Sequence, residues 1–575
     1  MLINGATING ATINGSSSAP TVEAEYVVRG IGYRWRLRVM VGGVDMTGQL
    51  TDRADIDREE GAAGVGSIAL YLPPGPVVPT DWIGRAVTID YISTTSGITT
   101  EERRFTGQIV SPVWNPLTRV LTCELSDQLQ QRTEALSIAE IDALTGGYWS
   151  ADVFDAVEGR SHWDYAQERM STRPFSLDTS PTGELRVHSW YATAPHFVFG
   201  PGTTLDQSMS LELAPLGNIT NRIEIEFSYR YSRLWQRNQQ YTWQHPQTGG
   251  SVGAGGFCNW QHAGGSEVPT VEMIEDATSG NGQTLINASY YLVPLTVADG
   301  QNAGAVCDPE FIWINSFDTL LLGANWTGSR RWVQTVTETY SLVLYTPAGE
   351  AEATRVVQRA GYSFEIEDDA AEAWTAEVIP NGSADGVTDL DVEARRAAAV
   401  NVALRIGQTQ LIAANRAAVL SWSVPTSMAL GIDLIHTLHL ADQGVQGLGK
   451  CVRIVDTFDF TAGTAITTLS IAVMRGGGVT DPLTLPPRLG VGVTPTPDSG
   501  AGVGLPTQIS EFGGEPYDDL LPGFAGNADG GGWPEVFPRR FDAPLDEIPA
   551  SERDENKLTG EYLYRVGIPS DTLEL

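Results

Sequence analysis

Residues 33–39 read YRWRLRV. The alternation is strict: Tyr33, Trp35, Leu37 and Val39 share one face, and Arg34, Arg36 and Arg38 share the other. A period of two belongs to a β-strand, whose successive side chains point to opposite faces. The apolar face predicts core. The arginine row predicts either a solvated face or contact with an acidic neighbour. The chain carries a net charge of −34, so a row of arginines stands out.

The same pattern continues outward. SIALYL (67–72), AVTIDY (86–91), RRFTGQIV (103–110) and RVLTCEL (119–125) read as strands. PPGP, WIGR and Asn115-Pro116 separate them as turns. This predicts a small all-β barrel or sandwich ending near residue 130. SDQLQQRTEALS (126–137) reads as a short helix leading out of it. Residues 150–171 have helical spacing, and residues 175–191 read strand, turn, strand around SPTG. In NRIEIEFSYRYSRLW (221–235), Ile223, Ile225, Phe227, Tyr229 and Tyr231 share a face, with Glu224, Glu226 and Arg230 opposite. RRWVQTVTETYSLVLYT (330–346) and YSFEIED (362–368) add strands. The clearest helix is the Ala-rich run 391–416, started by Asp389 or Asp391. A β unit with a hairpin follows, over residues 420–477.

A chain of 575 residues exceeds a single core and predicts several domains. The boundaries read as an N-terminal arm (1–22), a first β-barrel domain (23–135), a small α/β domain (136–205), a β domain (206–375) with a Gly-rich insertion (245–310), a helix plus β-barrel hairpin domain (376–476), and a Gly/Pro-rich acidic C-terminal arm (477–575). The fold class is therefore mainly β with α+β parts and extended terminal arms. From Glu511 onward the last segment holds fifteen Asp/Glu against five Arg/Lys. That composition suits disorder, or an arm that orders on a partner.

The arm at the other end repeats itself. Ile3, Ile8 and Ile13 recur every five residues, each followed by Asn-Gly. It reads either as a disordered leader or as three anchors that dock along a neighbouring subunit. The partner-binding candidates are accordingly Ile3, Ile8, Ile13, Arg34, Arg36 and Arg38.

Chemistry is hard to find. The charge argues against a protein held on nucleic acid, which needs a basic footprint, although an acidic lumen would let a strand slide through without sticking. GVQGLGK (444–450) has phosphate-loop spacing, but Cys451 stands where Ser or Thr would hold magnesium, and a strand follows in place of a helix. It reads as a Gly-rich turn. GGSVG (249–253), beside His245, lacks the strand and helix of a nucleophile elbow. His436 and His439 read as structural. Cys123 reads as core, and Cys258 and Cys307 as loop residues able to approach each other. The four cysteines are spaced too widely to favour an iron–sulfur cluster. No signal peptide and no run of 18 apolar residues is visible. We expect no catalytic residues, cofactor or metal, which shifts weight towards assembly.

The order of elements resembles one family. Residues 42–52 (GGVDMTGQLTD), 61–74, 82–91 and 103–129 follow the layout of the tube-like domain of tailed-phage baseplate hub, or central tail tip, proteins. Residues 152–191 resemble that family's next part, a helix followed by a hairpin of the type G-x-L-x-V-x-x-W. Residues 395–425 and 449–477 resemble its last domain, a helix followed by two barrel strands. The resemblance implies a homotrimer whose paired barrels imitate and cap the tail tube at the distal end of a virion. The implied partners are the distal tail or tail-tube protein, the tape measure protein and fibre or tip proteins, with genomic DNA passing transiently and the host envelope in contact. Such a protein is made in the host cytoplasm. The alternatives are a receptor-binding tail fibre or tip, and a tail-associated cell-wall or glycan hydrolase.

Overall fold

The computed structural model describes residues 2–3, 6–7, 25–27, 33–95, 97–213, 220–244, 269–294, 319–347, 359–368, 385–416, 418–493, 502–508, 520–525 and 540–575. The opening stretch forms β1 (Tyr33–Val41). Leu37, Val39 and Val41 are buried, so the period of two is realised with its apolar side inward. β2 (Leu50–Glu59), β3 (Val65–Tyr71), β4 (Ala86–Thr95), β5 (Ile98–Asn115) and β6 (Val120–Ser126) complete the first unit. They enclose one core, in which Cys123 sits beside Ile68, Ile89 and Phe105.

Helices α1 (Leu129–Glu134), α2 (Ile138–Thr145) and α3 (His162–Ser171) follow, then the hairpin β7 (Phe175–Thr179) and β8 (Leu185–Ser189). The helical expectation for residues 150–171 needs correction. The helix begins only after Ser161, whose hydroxyl accepts from the Asp164 N–H at 3.2 Å, and residues 150–160 form turns.

Short strands β9 (Phe197–Phe199) and β10 (Ser210–Leu213) lead to β11 (Arg222–Gln244). Ile223, Ile225, Phe227, Tyr229 and Tyr231 line its buried face, as the alternation requires. Within the Gly-rich insertion, helix α4 (Val271–Gly280) and strand β12 (Thr284–Pro294) are ordered elements that the composition concealed. The segments holding GGSVG, His245, Cys258 and Cys307 lie outside the described residues. β13 (Thr319–Tyr345) pairs antiparallel with β11 along the whole of that strand, from Arg222 opposite Tyr345 to Gln244 opposite Gly323. β14 (Arg359–Asp368) runs parallel to β11, and β15 (Gly386–Leu390) antiparallel to it.

Helix α5 (Glu393–Ala414) covers this sheet, with Ala399, Val400, Ala403 and Leu404 in the shared core. Each such buried aliphatic side chain stabilises the fold by roughly 1.5–3 kcal/mol for the larger ones. Neither Asp389 nor Asp391 caps the helix. Val392 is the N-cap, while Asp389 binds Arg233 at 2.6 Å and Asp391 binds Arg488.

The last unit comprises β16 (Ala418–Pro425), β17 (Thr437–Asp442), β18 (Val445–Asp459) and β19 (Thr464–Val473). Asp442 pairs with Val445, so Gln443 and Gly444, with φ of 50° and 84°, make the hairpin turn. The rest of GVQGLGK is strand, not turn. Its glycines permit close approach: a Cβ on Gly449 would stand 2.4 Å from the Ala472 carbonyl oxygen.

One large sheet runs β10-β16-β19-β18-β2-β3-β6-β5-β4-β1 and ends on the two-residue strand Val44–Asp45; among the described residues this path does not close on itself. The first and last units meet where β2 pairs antiparallel with β18. Among the described C-terminal residues, Tyr564, Val566 and Ile568 belong to the core of the chain's second sheet. β20 (Asn556–Arg565) runs parallel to β13, from Val336 opposite Asn556 to Tyr345 opposite Arg565. At the N-terminus, Leu2–Ile3 pairs with Ala6–Thr7, which places Ile3 on a short strand; Ile8 and Ile13 lie outside the described residues.

Candidate assembly surfaces

The arginine row divides in two. Arg34 and Arg36 are exposed. Arg38 is half-buried and turns to acids of its own chain, meeting Asp90 at 2.9 Å and also Glu101. Both readings of the row are therefore realised, on different residues. β1 is paired with β4 along its length, but on its other side, among the described residues, only Met40 and Val41 find a strand, Val44–Asp45. Val39 donates its N–H to Thr47 Oγ1 (3.0 Å) and accepts from the Met46 N–H (2.9 Å) on that side. Backbone groups of the same parity, those of Leu37 and Trp35, thus face an edge that no described strand occupies.

The opposite end of the sheet is β10, sequence SLEL, paired only with β16 among the described residues. Ser210, Glu212 and Leu213 are exposed there. One free edge is cationic through Arg34 and Arg36, and the other carries the carboxylate of Glu212.

The chain shows how such edges join. Across the β2–β18 seam, Arg453 holds both oxygens of Asp57 at 2.9 and 2.5 Å. Arg53 binds Asp55 at 2.7 Å, and Asp55 also accepts from Thr457. Behind them Arg104 of β5 makes two bonds to Asp456 of β18, at 2.9 and 2.8 Å, with both residues fully buried. Burial pulls the Arg104 pKa down, but Asp456 and Glu102 outweigh it and the guanidinium stays charged.

A second ionic cluster locks the units together. Asp433, just before β17, binds Arg58 of β2 at 2.7 Å and Arg186 of β8 at 3.1 Å. Arg186 also binds Asp178 at 2.8 Å, and His188 meets the other oxygen of Asp178. Arg416, past the end of α5, binds Glu60 at 2.6 Å. Burial would raise the Asp433 pKa, yet Arg186 and Arg58 hold it far below the ordinary carboxylate range. Removing one member of such a cluster strands a buried charge, so it fixes orientation more than it adds stability.

His436 follows Asp433 and precedes β17 instead of sharing the strand with His439. Its Nδ1 accepts from the Asp433 N–H, and its ring lies 5.1 Å from that of His196. Cys123 and Cys451 are buried free thiols pushed up to about 12 by burial, which denies them nucleophilic character. Among the described residues no three His, Cys, Asp or Glu side chains converge as a metal site, and no helix is long and apolar enough to cross a membrane. Asp57, Glu212, Asp433 and Asp456 were not singled out by sequence reasoning. The alternation of SLEL and of VRIVDTFDF was the available signal, but neither shows which strand lies alongside.

No protein-family model matches the chain, and no curated protein matches it. Solved structures do. A tail protein from Neisseria meningitidis MC58 overlaps with a TM-score of 0.36 and 10% identity, over 76% of this chain and 96% of that one. The 43 kDa tail protein of prophage MuSo2 from Shewanella oneidensis gives 0.36 and 10%, over 76% and 98%. The prophage tail protein gp18 from Listeria monocytogenes EGD-e gives 0.30 and 7%, over 76% and 94%. The first of these neighbours is described as a tail protein and the other two as prophage tail proteins. The overlap is loose, whereas the free edges and their opposite charges are features of this chain itself.

Proposed function

We propose that this chain is a structural component of a phage-type tail: the baseplate hub, or central tail tip, that caps the tail tube as a homotrimer, organises tip and fibre proteins and forms the channel for genome release. One observation carries the reading. Two β units are already joined edge to edge inside one chain, and among the described residues the resulting sheet ends in two unpaired edges that carry opposite charges. Such edges invite pairing with another chain. Head-to-tail pairing of β1 with β10 of the next copy continues the sheet, and a heterologous interface of this kind closes into a ring when the rotation per copy is a whole fraction of a turn. A channel walled by chains of net charge −34 repels phosphates, so DNA would slip through it.

The test is charge reversal with rescue. Mass photometry should show trimers for the native chain. Arg34→Glu with Arg36→Glu should reduce them by placing like charges against Glu212, and Glu212→Arg added to that pair should restore them. Monomers at every concentration, also in the presence of a tail-tube protein, would refute the hub reading. Trimers indifferent to both changes would refute the seam.

A further inference from the structure

Two histidines meet at the start of β9. His196 precedes β9, and His436 precedes β17, the strand that β9 runs parallel to, from Phe197 opposite Leu438 to Phe199 opposite Leu440. The two rings lie 5.1 Å apart, and Phe197 meets the His436 ring edge-on at 5.2 Å. Each ring takes a backbone N–H on its Nδ1. Thr437 donates to His196 at 3.1 Å, and Asp433 donates to His436 at 2.9 Å. A ring nitrogen that accepts carries a lone pair, so both imidazoles are neutral in this arrangement, with the hydrogen on Nε2.

Protonation at Nδ1 removes both acceptors and leaves the N–H groups of Thr437 and Asp433 facing N–H donors. It also sets two cations 5.1 Å apart beside a third, since the Lys450 ammonium of β18 acts on both rings. Arg186 of β8 adds to the repulsion at His436. Asp433 opposes it, but that carboxylate is already engaged by Arg58 and Arg186. Burial first, and then these neighbours, hold both histidines below the ordinary value of 6.5, His436 at about 4.

The backbone around His196 decides what gives way. Its N–H donates to the Thr437 carbonyl and its own carbonyl accepts from the Glu25 N–H, both at 2.8 Å. The strand Glu25–Val27 runs parallel to β9 on the side away from β17, and among the described residues it pairs with β9 alone. A three-residue strand held along one side is a marginal element and opens before the rest of its sheet. β17, by contrast, is also held by β18 over six residue pairs, from Thr437 to Asp442. We infer that the His196–His436 pair is a proton-operated latch on the N-terminal strand: in acid both rings charge, the junction of β9 with Thr437 opens, and residues 25–27 leave the sheet. For His436 alone, an open site that binds protons at 6.5 and a closed one that binds them at about 4 shift the equilibrium roughly 60-fold towards opening between pH 7 and pH 4.5.

Hydrogen exchange of the full chain, read by mass spectrometry with each rate divided by its intrinsic rate at the same pH, tests this. Protection of residues 25–27 and 197–199 should fall by about ten-fold or more from pH 7 to pH 4.5, while residues 454–458 of β18 change by less than about two-fold. His196→Gln combined with His436→Gln keeps an acceptor oxygen for each N–H and cannot charge. In that chain, protection of residues 25–27 should stay within about two-fold over the same range. If the double variant fails to fold, His196→Gln alone removes the second cation, and its loss of protection should be at least about three-fold smaller than the native loss. Protection of residues 25–27 that ignores pH in the native chain, a fall shared equally by β18, or a fall as large in the folded variants as in the native chain overturns the latch.

Discussion

Glu338 has no solvent exposure, yet it is an acid in the middle of β13. It is tolerated because the segment after β19 brings donors to it. Arg488 reaches both carboxylate oxygens at 3.1 Å, the Gly490 N–H gives a bond of 2.9 Å, and the Tyr340 hydroxyl adds a third partner. Arg488→Ala should cost about 3–5 kcal/mol, because it leaves a buried charge uncompensated. Urea unfolding measures this, and a loss under 1 kcal/mol would show that Glu338 is not held this way. His436 offers a residue-scale test with a defined sign. Burial first, then His196, lower its pKa from 6.5 to about 4; Asp433 opposes this, while Lys450 and Arg186 add to it. The unfolded chain then binds more protons between these two values. The stability is fully present above pH 6.5 and is lost as pH falls towards 4. Melting temperature should drop across that window, and His436→Gln should flatten the slope. Neither residue announced itself in the sequence. An isolated Glu in TVTETYSL or a His in IDLIH reads the same whether it is solvated or buried, because burial depends on chain segments a hundred or more residues away.

At the scale of elements, local period was legible and partner choice was not. YRWRLRV and NRIEIEFSYRY bury the faces their alternation predicts. The far half of the β11–β13 strand pair was hidden, since RNQQYTWQ and NWTGSR mix polar residues on both faces. The same holds for NKLTGEYLYR, the sequence of β20: its alternation is clear, but the acidic, Gly-rich surroundings read as an arm. Without residues 477–575, β13 loses its parallel neighbour and Glu338 loses Arg488. A chain truncated after Gly476 should therefore fail to give a soluble, cooperatively unfolding protein. An unaltered melting transition in the truncated chain would show that the C-terminal residues are dispensable cover and not part of the sheet.

For the whole molecule, two electrostatic effects oppose each other at the proposed seam. Arg34 and Arg36 against Glu212 favour assembly, but exposed pairs contribute only about 0–1 kcal/mol each and weaken with salt. Three chains each at −34 repel one another, and that repulsion acts between many charges lying within a screening length of about 10 Å at 0.1 M salt and about 30 Å at 0.01 M. The backbone bonds of a β1–β10 pairing depend little on salt. Net repulsion is therefore the term that ionic strength relieves most. The trimer fraction should rise from 20 to 200 mM sodium chloride, as sedimentation velocity can follow, and the Arg34→Glu, Arg36→Glu chain should need more salt than the native chain to reach the same fraction. A trimer that dissociates as salt rises would mean that attraction between unlike charges dominates the interface. The ring would then be held by ion pairs and not by a continuing sheet.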